Sequence, residues 1–223
     1  MEKMRNIRLI HLWLCRTLLD MGPRIEATPD NEVVLDNPKA VLPVEEAVRR
    51  TELDRGLLMD EVIRLSGDSG EALTSPYRVA GGPLGDSCDS LRDLVAHVLM
   101  WDEINLSVLT EARLGRIHWS LDPQWETRAV GRNLNASGVT AGRVLPVALL
   151  LQRFGVARDA LLAELRSYPH EQWLAPFSPA LGLKFSPGSL AQYVMTVPQA
   201  APYWHAAIHL DELDEGNPQQ ERI

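Results

Sequence analysis

The chain has 223 residues, of which 45% are hydrophobic and 23% are charged, and its formal net charge is −8 at pH 7. These proportions are typical of a globular protein, and the acidic balance argues against a nucleic-acid partner because no broad basic surface is available for a phosphate backbone. No apolar run approaches the roughly 20 residues that span a bilayer, so we expect no membrane segment. Cys15 and Cys88 lie far apart in the sequence, which fits free thiols in a reducing, cytoplasmic compartment.

Residues 1–42 are predicted to form an N-terminal extension outside the core. A short apolar helix from about Ile7 to Leu19 runs into the turn-forming segment 21–23, which contains glycine and proline. Glu32 to Leu35 is the one short strand candidate. We expect this arm to lie over the domain or over a partner chain, an arrangement that allows a homodimer.

Two long helices are predicted in the first half of the core, because apolar residues recur there every three to four positions. The first runs from Val44 to Leu65. An irregular loop, residues 66–89, separates it from the second, which begins after the capping residue Ser90 and continues to about Leu114.

The second half is predicted to contain a long crossing and two more helices. Residues 115–146 are polar and interrupted by glycines, so we expect a long excursion with at most one short helix. A third helix runs from about Leu145 to Arg166. Ser189 is predicted to cap the last helix, which ends near residue 213 and kinks or restarts at Pro202, since proline cannot donate a helical hydrogen bond.

These elements together predict an all-α fold, a four-helix bundle with long crossover connections over residues 43–213. The last ten residues, 214–223, form an acidic tail that we expect to be solvated. Alternating apolar and polar runs typical of strands are scarce, and no internal repeat is visible.

Three histidines fall in the predicted helices at positions that a metal site can use. His205 and His209 are four residues apart, so both imidazoles lie on one helical face. No glutamate follows His205 directly, so the zinc-peptidase motif with its general base is excluded. His97 lies among apolar residues of the second helix, where a buried imidazole requires a hydrogen bond or a metal. A histidine satisfied by an ordinary core hydrogen bond is the alternative.

The residues around His97 carry a family resemblance. The phrase R-D-L-V-A-H followed by Trp101, together with the His205/His209 pair, resembles the DinB-like superfamily of metal-binding four-helix bundles and is similar to the N-terminal domain of mycothiol-dependent maleylpyruvate isomerase. The W-D-E continuation is also similar to the DfsB/ClbS branch. The resemblance covers residues 43–213. It implies that His97, His205 and His209 bind Zn²⁺ or Ni²⁺ with open positions, and that an open position takes the thiolate of a low-molecular-weight thiol such as mycothiol.

Several neighbours of these histidines are candidates for the substrate pocket or for proton transfer. Trp101 and Asn105 follow His97 at one-turn intervals, although packing is the simpler interpretation of Trp101 and solvent exposure that of Asn105. Tyr203 and Trp204 flank the His205/His209 pair and are candidates to line the substrate pocket. Two carboxylates, Asp102 and Glu103, are candidates for a general base or an outer partner of an imidazole, even though their spacing directs them away from the His97 face.

Arg132, Asn133 and Arg143 are candidates to hold the polar part of a thiol cofactor, because they lie on a segment predicted to be flexible. A solvated loop is the commoner explanation of such residues.

Three functions fit this sequence. The favoured one is a metal-dependent enzyme that uses a mycothiol-like thiol for transfer of sulfur to, or isomerisation of, a small electrophilic substrate. The second is a thiol-independent hydrolase or cyclase of a biosynthetic or self-resistance pathway, similar to the ClbS branch. The third is a helical binding protein with no catalytic activity.

Overall fold

A computed structural model describes residues 40–66, 71–74, 88–122, 128–177, 185–197 and 200–215. The helix and the strand candidate expected in the N-terminal arm lie outside these residues, as do most of the 66–89 loop and the end of the acidic tail. The division into arm, bundle and tail therefore stays a prediction.

The described residues are helical and contain no strand, so the all-α class is confirmed. In chain order the helices are α1 (Val44–Ser66), α2 (Leu91–Arg113), α3 (Arg128–Arg143), α4 (Val147–Arg166), α5 (His170–Leu174), α6 (Pro187–Val194) and α7 (Ala206–Glu215). Two short 3-10 turns, Glu71–Thr74 and Trp119–Leu121, lie between them. None of the described helices is long and apolar enough to cross a bilayer.

The long crossing between α2 and α4 differs from the prediction. A short helix at most was expected there, but Arg128–Arg143 forms the 16-residue helix α3. Its glycines lower helix propensity, yet they allow close packing on α2: a Cβ at Gly142 would lie 2.2 Å from the Ala96 Cβ, and one at Gly138 would lie 2.6 Å from the Met100 sulfur. Tertiary packing therefore overrides the local propensity.

The last predicted helix is two helices, and its cap is not Ser189. Ser186 is the N-cap of α6, and Ser189 is its reciprocal partner in a capping box. Helix α6 ends at Val194, and after a turn that includes Pro202 the chain begins α7 at Ala206. The expected restart near Pro202 is confirmed.

Two groups of buried apolar residues hold the helices together. One includes Leu58, Leu94, Val98, Phe154 and Ala206, and it joins α1, α2 and α4 to the start of α7. The other lies toward the far end of α2 and includes leucines, Trp173 and Tyr203. Through the first group, α2 and the start of α7 face each other across the bundle.

Candidate metal centre

The three predicted metal ligands meet inside the bundle. His97 lies on α2 and is 2% exposed, while His205 and His209, each 4% exposed, lie just before and within the first turn of α7. Their ring centroids are separated by 5.0, 5.0 and 5.1 Å. One nitrogen from each ring lies within 4.8 Å of the other two. Residues 108 positions apart in the sequence therefore form one compact cluster.

The spacing of the nitrogens fits a shared ion. The Nε2 atoms of His97 and His205 are 3.0 Å apart. Two nitrogens that bind one Zn²⁺ at the usual 2.0–2.1 Å lie about 2.9 to 3.4 Å from each other. The same contact is a hydrogen bond when one of the two nitrogens carries a proton. Three imidazoles that leave further positions open are the donor set of a catalytic zinc site.

The surroundings keep His97 and His205 neutral. Burial, together with the charges of His209 and Arg55, lowers the pKa of His97 to about 3. Burial and the neighbouring histidines also lower the pKa of His205 well below its ordinary value. Both rings are therefore unprotonated at neutral pH, with lone pairs available to bind a cation.

The backbone turn just before α7 orients His205 and His209. Tyr203 adopts a positive φ of 66°, a conformation that L-residues with large side chains rarely take. The Tyr203 ring is 1% exposed, and its hydroxyl has no hydrogen-bond partner within the described part of the chain. Burial raises the pKa of that hydroxyl. This turn brings His205 into the interior directly before the helix starts.

Two residues that sequence reasoning missed, Asp54 and Arg55 of α1, lie beside the cluster. Asp54 is fully buried and accepts hydrogen bonds from the backbone at the start of α7. Arg55 is 2% exposed and pairs with both Asp54 and Asp102. A usable signal was present: Asp54 and Arg55 follow Thr51 and precede Leu58 at helical spacing, so the apolar face of α1 contains a charged pair.

The two predicted carboxylates have different surroundings. Asp102 is fully buried, and both of its oxygens accept hydrogen bonds from Arg55. Glu103 is 43% exposed and pairs with Arg153 of α4. A role for either as a general base stays a prediction, and the contacts of Asp102 favour a structural one.

The four candidate pocket residues are spread around the cluster. Trp101 is half-buried, and its indole N–H donates to Asn135 of α3 over 2.9 Å. Asn105 is 3% exposed, and Trp204 is half-buried. Tyr203 packs in the second apolar group. The role of these four side chains in a substrate pocket stays a prediction.

The residues expected to hold a thiol lie on α3 rather than on a loop. Arg132 and Asn133 are exposed. Arg143 is at the end of α3, where its guanidinium pairs with Asp93 and Asp89 of the α2 start. Those carboxylates raise the pKa of Arg143. The structure therefore gives Arg143 a role in joining α3 to α2.

The fold and the histidine cluster define the class: an all-α bundle with a candidate three-histidine metal site. Residues 90–197 match the family model described as the mycothiol maleylpyruvate isomerase N-terminal domain. Over this part, which is just under half of the chain, the protein is similar to that family, and the DinB-like resemblance and the all-α bundle expected from the sequence are confirmed. The match contains His97 but ends before His205 and His209. Comparisons with curated proteins and with solved structures find no match.

Proposed function

We propose that this protein is a metal-dependent enzyme that uses a low-molecular-weight thiol, of the mycothiol kind, for sulfur transfer to or isomerisation of a small electrophilic substrate. The observation that carries the proposal is the convergence of His97, His205 and His209 inside a bundle whose central part is similar to the mycothiol maleylpyruvate isomerase N-terminal family. We also propose that both the substrate and the thiol are small molecules rather than macromolecules.

The three imidazoles would hold Zn²⁺ or Ni²⁺ and leave positions for a further ligand. A divalent ion bound there lowers the pKa of a coordinated thiol or water and polarises a carbonyl group. The chain itself supplies neutral nitrogens, since the pKa of His97 is lowered to about 3. Buried apolar residues close to the histidines in the sequence, including Leu94, Val98 and Ala206, would exclude water and strengthen electrostatic interactions within such a site.

The chemistry follows from a thiolate next to an electrophilic carbon. In transfer, a sulfur–carbon bond forms and a leaving group departs with the bonding electron pair, while the thiol proton passes to solvent. In isomerisation, the sulfur–carbon bond forms by displacing the π electrons of a conjugated double bond, and it breaks again after rotation, which returns the thiol unchanged.

Metal analysis followed by a thiol screen tests the proposal. The purified protein should contain about one Zn²⁺ or Ni²⁺ per chain, and it should consume a model electrophile only when mycothiol, bacillithiol or glutathione is added. Metal and turnover should both be lost in the His97→Ala, His205→Ala, His209→Ala variant. His170→Ala is the matched control, because His170 is exposed at the start of α5. Turnover without any thiol would instead select the hydrolase or cyclase, and metal retained by the triple variant would defeat the proposal.

A further inference from the structure

Helix α1 contributes no histidine to the cluster, yet it places two charged residues beneath it. Asp54 is 0% exposed and Arg55 is 2% exposed. Buried charged residues are costly unless they are paired. Their partners lie on the two helices that carry the candidate ligands.

Asp54 holds the start of α7. Its carboxylate accepts hydrogen bonds from three successive backbone N–H groups, those of His205 at 3.3 Å, Ala206 at 2.9 Å and Ala207 at 2.8 Å. The first N–H groups of a helix have no partner within the helix, and its N-terminus is electropositive. One of these three donors is the backbone N–H of His205, a candidate ligand, so Asp54 holds the backbone of that ligand in place.

Arg55 connects that contact to α2. Its guanidinium pairs with Asp54, and its Nε donates to the Oδ2 of Asp102 over 2.9 Å. Asp102 accepts a second hydrogen bond on Oδ1 from the same guanidinium. A two-pronged contact of this kind fixes both distance and orientation. Asp102 lies five residues after His97 on the same helix, so a continuous chain of contacts joins the two sides of the cluster.

Stability alone does not account for three buried charges. Apolar side chains of similar volume often stabilise a core equally well or better. Burial opposes the charge of Arg55, but Asp102 and Asp54 outweigh it and raise the pKa of the guanidinium. What this set provides, and an apolar set would not, is a defined distance between the backbone of α7 and that of α2.

We propose that Asp54 and Arg55 are positioning residues, which set the separation of His97 from the His205/His209 pair and so prepare the cluster for a divalent cation. This inference rests on the proposed function for its metal readout, and it has a second readout that needs no metal. Neither residue is one of the three candidate ligands. The contacts of Asp54 and Arg55 described above reach the backbone of α7 and the carboxylate of Asp102, not the imidazole rings.

Two variants and a matched control separate positioning from general stability. Asp54→Asn removes the charge that pairs with Arg55, and it replaces one of the two oxygens that accept from the start of α7 by an amide nitrogen, which cannot accept. Arg55→Lys keeps a cation between two carboxylates but loses the two-pronged contact. Ser186→Ala is the control, because it removes the N-cap of α6, a helix that carries no candidate ligand. If Asp54→Asn does not fold, Arg55→Lys is compared with Ser186→Ala instead.

The first readout is Zn²⁺ affinity, measured by competition with a chromophoric chelator. The expected loss is about 10- to 100-fold in Asp54→Asn and in Arg55→Lys, which is typical for removal of an outer partner of a metal site. Ser186→Ala should leave affinity unchanged. Equal affinity in all four proteins would overturn the inference.

The second readout is the set of imidazole nitrogen resonances in metal-free protein labelled with ¹⁵N. The signals of His97 and His205 should shift in Asp54→Asn and stay in place in Ser186→Ala. Unshifted signals in Asp54→Asn would overturn the positioning role. If the native protein binds neither Zn²⁺ nor Ni²⁺, the proposed function fails, while these resonances still decide whether Asp54 positions the rings.

Discussion

The two sides of α2 are built differently. On the side facing α1 and α7, His97 and Asp102 are almost fully buried, and their polar neighbours are tied to one another. On the side facing α3, Gly138 and Gly142 lie against Met100 and Ala96, Asp93 pairs with the partly exposed Arg143, and Arg132 and Asn133 of α3 are exposed. Burial makes each polar group depend on a specific partner, so the identity of the buried residues carries information about function that the exposed ones do not.

Replacement of a candidate metal ligand on the buried side should have the largest effect, a loss of Zn²⁺ affinity. His205→Ala should reduce Zn²⁺ affinity by more than the roughly 100-fold upper range for outer partners of metal ligands, because a direct donor is lost. Chelator competition measures this affinity. His170→Ala should bind Zn²⁺ as the native chain does, since His170 is exposed. Equal affinities in the two variants would mean that the cluster is not the site of metal binding.

Replacement of Arg55 should destabilise the protein on the side of α2 that faces α1 and α7. Arg55→Met leaves two buried carboxylates without their cation and should reduce the free energy of unfolding by about 3–5 kcal/mol. Urea denaturation of the metal-free protein measures it.

The control for this variant is Arg166→Met, which breaks a surface pair between α4 and α1. Arg166 and Glu52 are 3.2 Å apart with side chains 52% and 62% exposed, so the cost should be at most about 1 kcal/mol. A similar loss in both variants would contradict the contrast between buried and exposed charges.

Acid should weaken the metal-free protein through the histidines. The pKa of His97 is lowered from 6.5 to about 3, so between these values the unfolded chain binds a proton that the folded one does not. Stability is therefore fully present above pH 6.5 and falls as the pH drops toward 3, by up to about 1.4 kcal/mol per pH unit for each such histidine.

Carboxylates also titrate in this range, so the measurement is a difference. The unfolding free energy of the native chain minus that of His97→Ala should decline from pH 6.5 to pH 4 in urea titrations. A difference that stays constant with pH would show that His97 is not held neutral by its surroundings.

The exposed side should tolerate change. Replacing both Arg132 and Asn133 by alanine should alter the unfolding free energy by no more than about 0.5 kcal/mol and leave the metal content unchanged. If these residues hold the thiol as predicted, the KM for the thiol rises while kcat is preserved. An unchanged KM would remove them from the thiol site.

The predictable part of the molecule was the part that burial constrains. The four-residue spacing placed His205 and His209 on one helical face, but it was the resemblance to the DinB-like superfamily that implied His97 as their partner. The helices α1, α2 and α4 followed from apolar spacing. The glycines of α3 misled the prediction, because Gly138 and Gly142 pack closely against Met100 and Ala96, and single-sequence propensity does not include such contacts.

Asp54 and Arg55 were missed for a related reason. A charged pair in the middle of a helix is usually exposed to solvent. In this sequence the sign that Asp54 and Arg55 lie on the buried face of α1 is their helical spacing from Thr51 and Leu58. The partners of that pair lie about 50 and 150 residues away, so no local pattern could identify them. The cap of α6 was misplaced by three residues because Ser186 and Ser189 are both good N-cap residues, and they act here as a reciprocal pair.

The central claim is that three imidazoles from two distant parts of the chain hold one divalent cation. The most direct measurement is a crystal structure of protein saturated with Zn²⁺, with diffraction data collected on both sides of the zinc absorption edge. The account predicts one anomalous peak about 2.0–2.1 Å from a nitrogen of each of His97, His205 and His209. A peak elsewhere, or none while His97 and His205 remain hydrogen-bonded directly to each other, would contradict it.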